Sequence, residues 1–246
     1  MRYLIISDIH GNWEGLEAVI KHAEDRYDQI LCNGDLVGYG ADPNPVIEWA
    51  RSNVAVVVRG NHDKACAGLE DLEWFNPVAR AAALWTQSQL TAENLEYLRN
   101  LPKGPLPVAE FQLLHGSPID EDEYLLTSAE IHHVSAYLER SLSFFGHTHL
   151  QGGFFWHRNE VRRIGRTPDG AEQQIVDLIG DALCLANPGS AGQPRDGDPR
   201  AAYLLYDSDE RALVYRRVAY DIEAAQEKIR RAGLPDVLAE RLALGA

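Results

Sequence analysis

The chain has 246 residues, 45% of them hydrophobic and 24% charged, with a formal net charge of −14. That length suffices for one domain with a large core, and the charge argues against a general grip on nucleic acid, which needs a basic surface. It leaves room for a phosphate substrate, because bound cations reverse the sign locally. No run approaches the roughly 18 apolar residues of a membrane-spanning helix, and the apolar stretch in residues 1–8 is too short for a signal peptide. A cytoplasmic protein that spans no membrane is expected. Cys32, Cys66 and Cys184 form no zinc-type spacing and read as buried, reduced thiols.

Residues 1–150 alternate apolar runs with amphipathic stretches, the pattern of an α/β domain. Leu4-Ile5-Ile6 predicts a first strand. Leu16, Val19, Ile20, Ala23 and Tyr27 recur at helical spacing, with Asn12 as the cap. Ile30-Leu31-Cys32 predicts a second strand, which runs into Gly34-Asp35-Leu36-Val37-Gly38-Tyr39-Gly40, a stretch where the backbone must turn sharply. Asp42-Pro43 supplies a cap and a first-turn proline for a second helix. Residues 54–58 are apolar throughout and predict a deeply buried third strand.

Residues 64–101 show no strand pattern. They read as a helical insert with helices starting at Asn76-Pro77 and at Thr91, either a lid beside the site or, as favoured here, packing with one edge near it. Residues 111–114 and 142–145 predict two more strands. Between them the capping box Thr127-Ser128-Ala129-Glu130 opens a helix through Leu138. Beyond residue 152 the helices stop. Residues 153–156, 174–178, 182–185, 202–206 and 213–218 predict short strands that suggest an antiparallel second sheet. A helix over 221–231, ended by Gly233 and Pro235, and a last one over 235–244 complete a single domain spanning 1–246.

Chemistry-bearing residues gather where the early strands end. Asp8 and His10 follow the first, Asp35 the second, Gly60-Asn61-His62-Asp63 the third, His115 the fourth and His147-Thr148-His149 the fifth. Ligands of open α/β sheets bind just beyond the carboxyl ends of strands, so these clusters converge. Taken alone, Asp35 reads as an ordinary turn aspartate; the company of the others makes it a metal bridge. Asp8 and His10 are two apart, as are His147 and His149, and on extended backbone such pairs point the same way. Gly34, Gly60, Gly116 and Gly146 adjoin the clusters and would let ions sit close to the backbone. His22, His132, His133 and His157 lack such company and read as surface or packing residues. Imidazole, carboxylate and one amide, without thiolate, suit manganese, iron, zinc or nickel.

In order and as a set, Asp8-Ile9-His10, Gly34-Asp35, Gly60-Asn61-His62-Asp63, His115 and Gly146-His147-Thr148-His149 resemble the signature motifs of the calcineurin-like metallophosphoesterases. Asn187-Pro188-Gly189-Ser190 resembles a loop of their small bacterial members, including phosphodiesterases and diadenosine-tetraphosphatase-like proteins. The resemblance implies two facing β-sheets flanked by helices, a four-layer αββα sandwich. It implies two divalent ions: Asp8, His10 and His149 on the first, Asn61, His115 and His147 on the second, Asp35 bridging, and His62 as an unliganded catalytic histidine. A shared hydroxide would then attack phosphorus in line.

One departure narrows the reading. Protein phosphatases of the superfamily carry an aspartate and an arginine shortly after the bridging aspartate, where this chain has Gly38 and Tyr39. That points away from a phosphoprotein and toward a small-molecule phosphodiester or nucleotide. A dinucleoside polyphosphate hydrolase and a phosphomonoesterase stand as alternatives, as does a catalytically silent metal-binding scaffold. Arg59 and Arg195 are candidates for the missing phosphate clamp, although Arg195 also reads as a solvated loop arginine. Asn12 is either a cap alone or a cap and a phosphate contact. Trp13 and Tyr39 read as core packing that could also stack on an aromatic leaving group.

Overall fold

The computed structural model describes residues 1–246, apart from the side chain of Trp74. Two six-stranded mixed sheets face each other. The first runs β3 (Val56–Val57), β2 (Gln29–Cys32), β1 (Arg2–Ile6), β11 (Ala201–Asp207), β12 (Ala212–Val218), β9 (Gln173–Asp177). The second runs β4 (Leu106–Val108), β5 (Phe111–Leu113), β6 (Leu142–Phe144), β10 (Leu183–Asn187), β7 (Gly152–His157), β8 (Glu160–Ile164). Helices α1 (Trp13–Ala23), α2 (Pro43–Asn53), α3 (Asn61–Cys66), α4 (Pro77–Gln89), α5 (Ala92–Arg99), α7 (Ile222–Arg231) and α8 (Asp236–Leu244) lie on the side of the first sheet, and α6 (Ser128–Val134) covers the second. The four-layer sandwich expected from the motifs is the architecture observed.

The strand sequences explain the layering. Alternate residues of β1 go to opposite faces: Leu4 and Ile6 join the core beneath the helices with Leu16, Val19 and Val46, while Tyr3 and Ile5 join the core between the sheets. β11 divides the same way, with Tyr203 and Leu205 toward the helices and Leu204 and Tyr206 toward the second sheet. The inter-sheet core is aromatic: Phe111 lies edge-on to Tyr3, Phe144 and Tyr206 at centroid distances of 5.0, 5.3 and 5.6 Å. Burying each such side chain is worth roughly 1.5–3 kcal/mol.

The expectation of a separate antiparallel sheet after residue 152 is corrected. The late strands are shared out: β9, β11 and β12 extend the first sheet, while β7, β8 and β10 extend the second. β11 pairs antiparallel with β1, and β10 pairs parallel with β6. A strand apolar on both faces needs cover on both, which a central position in a sandwiched sheet supplies.

Several boundaries also shift. The third strand is only Val56–Val57, because Val54 closes α2 by donating its amide to the Ala50 carbonyl. Helix α1 stops at Ala23, before Tyr27, and α6 stops at Val134, short of Leu138. Strands β4 and β8 escaped the pattern; β4 is half-exposed, and β8 is charged through its middle. Asn12, Asn76 and Thr91 cap their helices as expected. Asp42 does not: its carboxylate takes the Lys228 ammonium at 2.8 Å instead. Among the described residues no helix is long and apolar enough to cross a membrane, and the three cysteines are free and buried.

Candidate metal centre

The five strand-end clusters meet at one end of the two sheets. Backbone bonds lace their loops together: Asp8 N–H donates to Gly34, His10 N–H to Asp35, and Gly146 N–H to His115, at 2.8–3.0 Å. The Asn187–Ser190 loop adds two ties. The Asn187 amide donates to the Gly146 carbonyl at 2.9 Å, and the Ser190 hydroxyl to the Asp8 carbonyl at 2.7 Å.

The two paired motifs are not extended, contrary to the expectation from their spacing. Asp8, His10, Asp35, His147 and His149 have φ of 53, 51, 57, 64 and 60°, in the left-handed region. Aspartate and histidine enter it more readily than most residues, but each entry still costs on the order of 1 kcal/mol or more. The lacing above over-determines these conformations. The glycines beside the clusters serve neighbouring protein atoms instead of ions. A Cβ on Gly60 would lie 2.1 Å from Asp35 Oδ1, so the glycine makes room for the carboxylate and its turn, not for an ion.

The ligand-type atoms fall into two groups, Asp8, His10, Asp35 and His149, and Asp35, His115 and His147, each within 4.8 Å and sharing Asp35. Asp35 Oδ1 accepts the His62 amide at 2.8 Å, while Oδ2 has no hydrogen-bond donor and lies 3.5 Å from His10 Nε2 and 3.4 Å from His115 Nε2. Each imidazole is anchored through its other nitrogen. His10 Nδ1 bonds the Val37 carbonyl at 3.0 Å, His115 Nδ1 that of Asn33 at 2.7 Å, His149 Nδ1 that of Gln193 at 2.6 Å, and His147 Nε2 that of Asp122 at 3.0 Å. A carbonyl accepts only, so these nitrogens carry a ring proton, and in the neutral form of each ring the lone pair is left on the inward atom.

The centre is therefore walled with acceptors. His10 Nε2 and His149 Nε2 face each other at 3.0 Å, His115 Nε2 stands 3.1 Å from Asn61 Oδ1, and Asp8 Oδ2 has no partner. Buried acceptors this close call for cations, and a histidine whose second nitrogen is held by a carbonyl is typical of metal sites. The residues present fit divalent ions.

The titration behaviour agrees. Burial holds His10 and His149 well below the usual histidine value and His147 down at about 3. Burial opposes the charged form of His115 too, but the Asp35 carboxylate raises it to about 10. Burial likewise raises Asp8 to about 7. Without metal, His115 and Asp8 thus hold protons near neutral pH while His10, His147 and His149 stay neutral.

His62 stands outside both groups. Its ring packs against Tyr39 at 4.4 Å, His10 at 4.8 Å and Phe75 at 5.4 Å, and burial lowers it to about 4. Its Nδ1 is buried without a partner against Gly38, where a Cβ would approach to 2.4 Å. Among the described residues no acid orients it, as glycine at position 38 implied. A cavity of about 270 Å³ opens beside it, lined by Asn61, His62 and His147, by Tyr39, Phe75 and Tyr124, and by Glu70 and Asp122. Residues 64–101 thus contribute one wall.

Two of the three candidate substrate contacts are otherwise engaged. Asn12 spends both ends of its amide: the oxygen accepts from Gly15 N–H at 3.0 Å, and the nitrogen donates to the Gly192 carbonyl at 2.8 Å. It is a cap and a loop tie. Arg59 is held in an ion pair with Glu121 at 2.9 Å, because Glu121 is nearly buried and needs a counter-charge. Arg195 is different. Its guanidinium lies 5.5 Å over the Tyr39 ring, Nη2 donates to Gln193 Oε1 at 3.1 Å, and Nε is buried without a partner. It has no carboxylate partner among the described residues. Trp13 packs against the helix-side core.

Sequence reasoning missed two residues. Asp63, quoted only as part of its motif, gathers the amides of the Asp35 turn; an acid three residues into a glycine-capped helix was the available signal. Tyr124 stacks on His147 with centroids 4.0 Å apart, and nothing in the sequence marked it.

A metallophosphoesterase of Sphaerobacter thermophilus is similar at 38% identity and a TM-score of 0.88, covering 100% of this chain and 99% of that one. Hypothetical protein PH1004 of Pyrococcus horikoshii shares the fold, at 20% identity and a TM-score of 0.78 over 100% and 98% of the two chains. The uncharacterized protein MJ0912 of Methanocaldococcus jannaschii is 36% identical over 98% of this chain and 97% of its own length. The sequence profile described as "Calcineurin-like phosphoesterase" matches residues 1–171, which include both ligand-type groups. The chain belongs to the calcineurin-like phosphoesterases, a family of metal-dependent phosphoric ester hydrolases.

Proposed function

We propose that the protein is a dinuclear-metal phosphoesterase that hydrolyses a small phosphodiester or nucleotide. The observation that carries the reading is Asp35 Oδ2, a buried oxygen with no hydrogen-bond donor placed between His10 and His115, which supports a bridge between two ions. Asp8, His10 and His149 would complete the first position, and Asn61, His115 and His147 the second. Ions so held supply a polarised water for attack and positive charge for the phosphoryl oxygens. The donor set suits manganese, iron, zinc or nickel.

The rest is work for the chain itself. His62 holds no ion in this reading. With Nδ1 enclosed and unpartnered and burial keeping the ring neutral, we assign its proton to Nε2, which serves as a hydrogen-bond donor to a phosphoryl or leaving oxygen. Arg195, free of any carboxylate, donates to a phosphoryl oxygen from above Tyr39. The cavity supports the choice of substrate. It is small, carries aromatic walls at Tyr39, Phe75 and Tyr124, and has Glu70 and Asp122 as its charged lining.

Metal-stripped protein given back manganese should hydrolyse bis-p-nitrophenyl phosphate, and do so faster than p-nitrophenyl phosphate. His62→Ala should abolish turnover while keeping both ions. Monoester turnover alone would displace the diesterase reading. No turnover of either substrate with two ions bound would favour a narrower substrate or a silent scaffold.

A further inference from the structure

Three of the four anchoring carbonyls, those of Val37, Asn33 and Gln193, belong to buried residues. The fourth, which orients His147, belongs to Asp122, whose side chain is 41% exposed on a surface loop. Left to itself, that loop would be the weakest support in the centre. It is gripped by two cations from the segment that carries Asn61. Lys64 Nζ reaches Asp122 Oδ2 at 2.7 Å, Glu70 Oε2 at 3.1 Å and Glu121 Oε1 at 3.3 Å, and Arg59 reaches the same Glu121 oxygen at 2.9 Å. Lys64 and Glu121 are 13% and 6% exposed, so these contacts are shielded from water. Lys64 lies on α3 beyond the edge of the first sheet, and His147 follows β6 of the second.

We propose that Lys64, assisted by Arg59, is a positioning residue for the second metal position. It pins the Asp122 carbonyl, which takes the His147 Nε2 proton and leaves Nδ1 as the ligand atom. Asn61 and His147, supplied by different sheets, are thereby held in mutual register. The first position draws on Asp8, His10 and His149 and uses none of these contacts. The inference rests on the dinuclear reading above and predicts an asymmetry within it: loss of the clamp weakens one ion and spares the other.

Manganese is the probe. Wild type, Lys64→Met, Lys64→Arg, Asp122→Ala and a control, Lys228→Met, are titrated calorimetrically, assayed for bound metal and examined by electron paramagnetic resonance. Lys228 pairs with Glu14 and Asp42 in an ion-pair cluster separate from the Lys64 clamp. Wild type and control should bind two ions and give a spin-coupled signal. Lys64→Met should keep the first affinity and lose about 10- to 100-fold in the second, the usual range for groups that orient ligands, and the signal of isolated manganese should appear. Lys64→Arg should restore much of the loss, and Asp122→Ala should move the same way by less. Unchanged second affinity in Lys64→Met, or equal weakening of both ions, overturns the proposal. Should Lys64→Met not fold, unchanged second affinity in Asp122→Ala overturns it. A wild type that binds a single ion sinks the dinuclear reading itself, and this inference with it.

Discussion

Asp63 Oδ2 accepts the backbone amide of Asp35 at 2.8 Å. The same carboxylate takes Gly60 N–H at 3.0 Å, Leu36 N–H at 2.8 Å and Val37 N–H at 3.3 Å. One buried side chain thus satisfies the turn that presents Asp35, the proposed bridge. Asp63→Ala should leave these donors orphaned and destabilise the fold by on the order of 4 kcal/mol. Asp63→Asn, with one acceptor oxygen in place of two, should cost about half of that and weaken metal binding. Denaturant unfolding checks both; a wild-type midpoint in Asp63→Ala would contradict this account.

Gly38 has φ of 131° and leaves no room for a side chain beside His62. Gly38→Ala should therefore displace the imidazole. Because His62 is outside both ligand groups, metal content should stay at wild type while kcat falls about 100-fold. Metal assay and steady-state kinetics on one preparation separate the two effects. Loss of metal in Gly38→Ala would mean that the strain reaches the ligand turn.

Metal removal should be visible in both stability and proton balance. At a free concentration of 100 times Kd, each ion adds about 2.7 kcal/mol, so stripping two should lower Tm by roughly 10–20 °C in a chain of this size. His115, raised to about 10, keeps its proton through neutral pH until metal displaces it, and Asp8, raised to about 7, is half-protonated at pH 7. Loading at pH 7 should release between about one and two protons. At pH 9, above the Asp8 value and below that of His115, release should fall to about one. Calorimetry in buffers of different ionisation enthalpy measures this, and release that rises with pH would refute it.

Arg195→Ala should lower kcat/KM about 10- to 100-fold, the worth of one charge-assisted hydrogen bond, and weaken inhibition by inorganic phosphate in proportion. Arg195→Lys should recover only part, since an ammonium cannot reproduce the planar stack on Tyr39. Phosphate inhibition unchanged in Arg195→Ala would return this residue to the solvated loop.

Much of the centre was legible because its residues are local to strand ends. A strand end is marked by the loss of an apolar run, and Asp8, Asp35, His115 and the His147–His149 pair each stand immediately beyond one. Helix caps were legible for the same reason at Asn12, Asn76 and Thr91, where the acceptor and the amide it serves are two or three residues apart. Asp42 broke the rule because Lys228, 186 residues away, offered a charge nearby that the local amide could not match.

The sequence by itself determined which chemical groups exist, in what order, and at which strand ends they stand, since hydrophobic periodicity and short-range capping depend on neighbours along the chain. Only the tertiary structure decided how those groups serve. It placed β11 beside β1, turned Asp8, His10, Asp35, His147 and His149 into left-handed conformations, paired Arg59 with Glu121 while giving Arg195 no carboxylate, and aimed a ring proton of each of the candidate ligand histidines at a carbonyl. Each of these outcomes depends on which partner a buried polar group finds across the fold, and no periodicity in the chain encodes that.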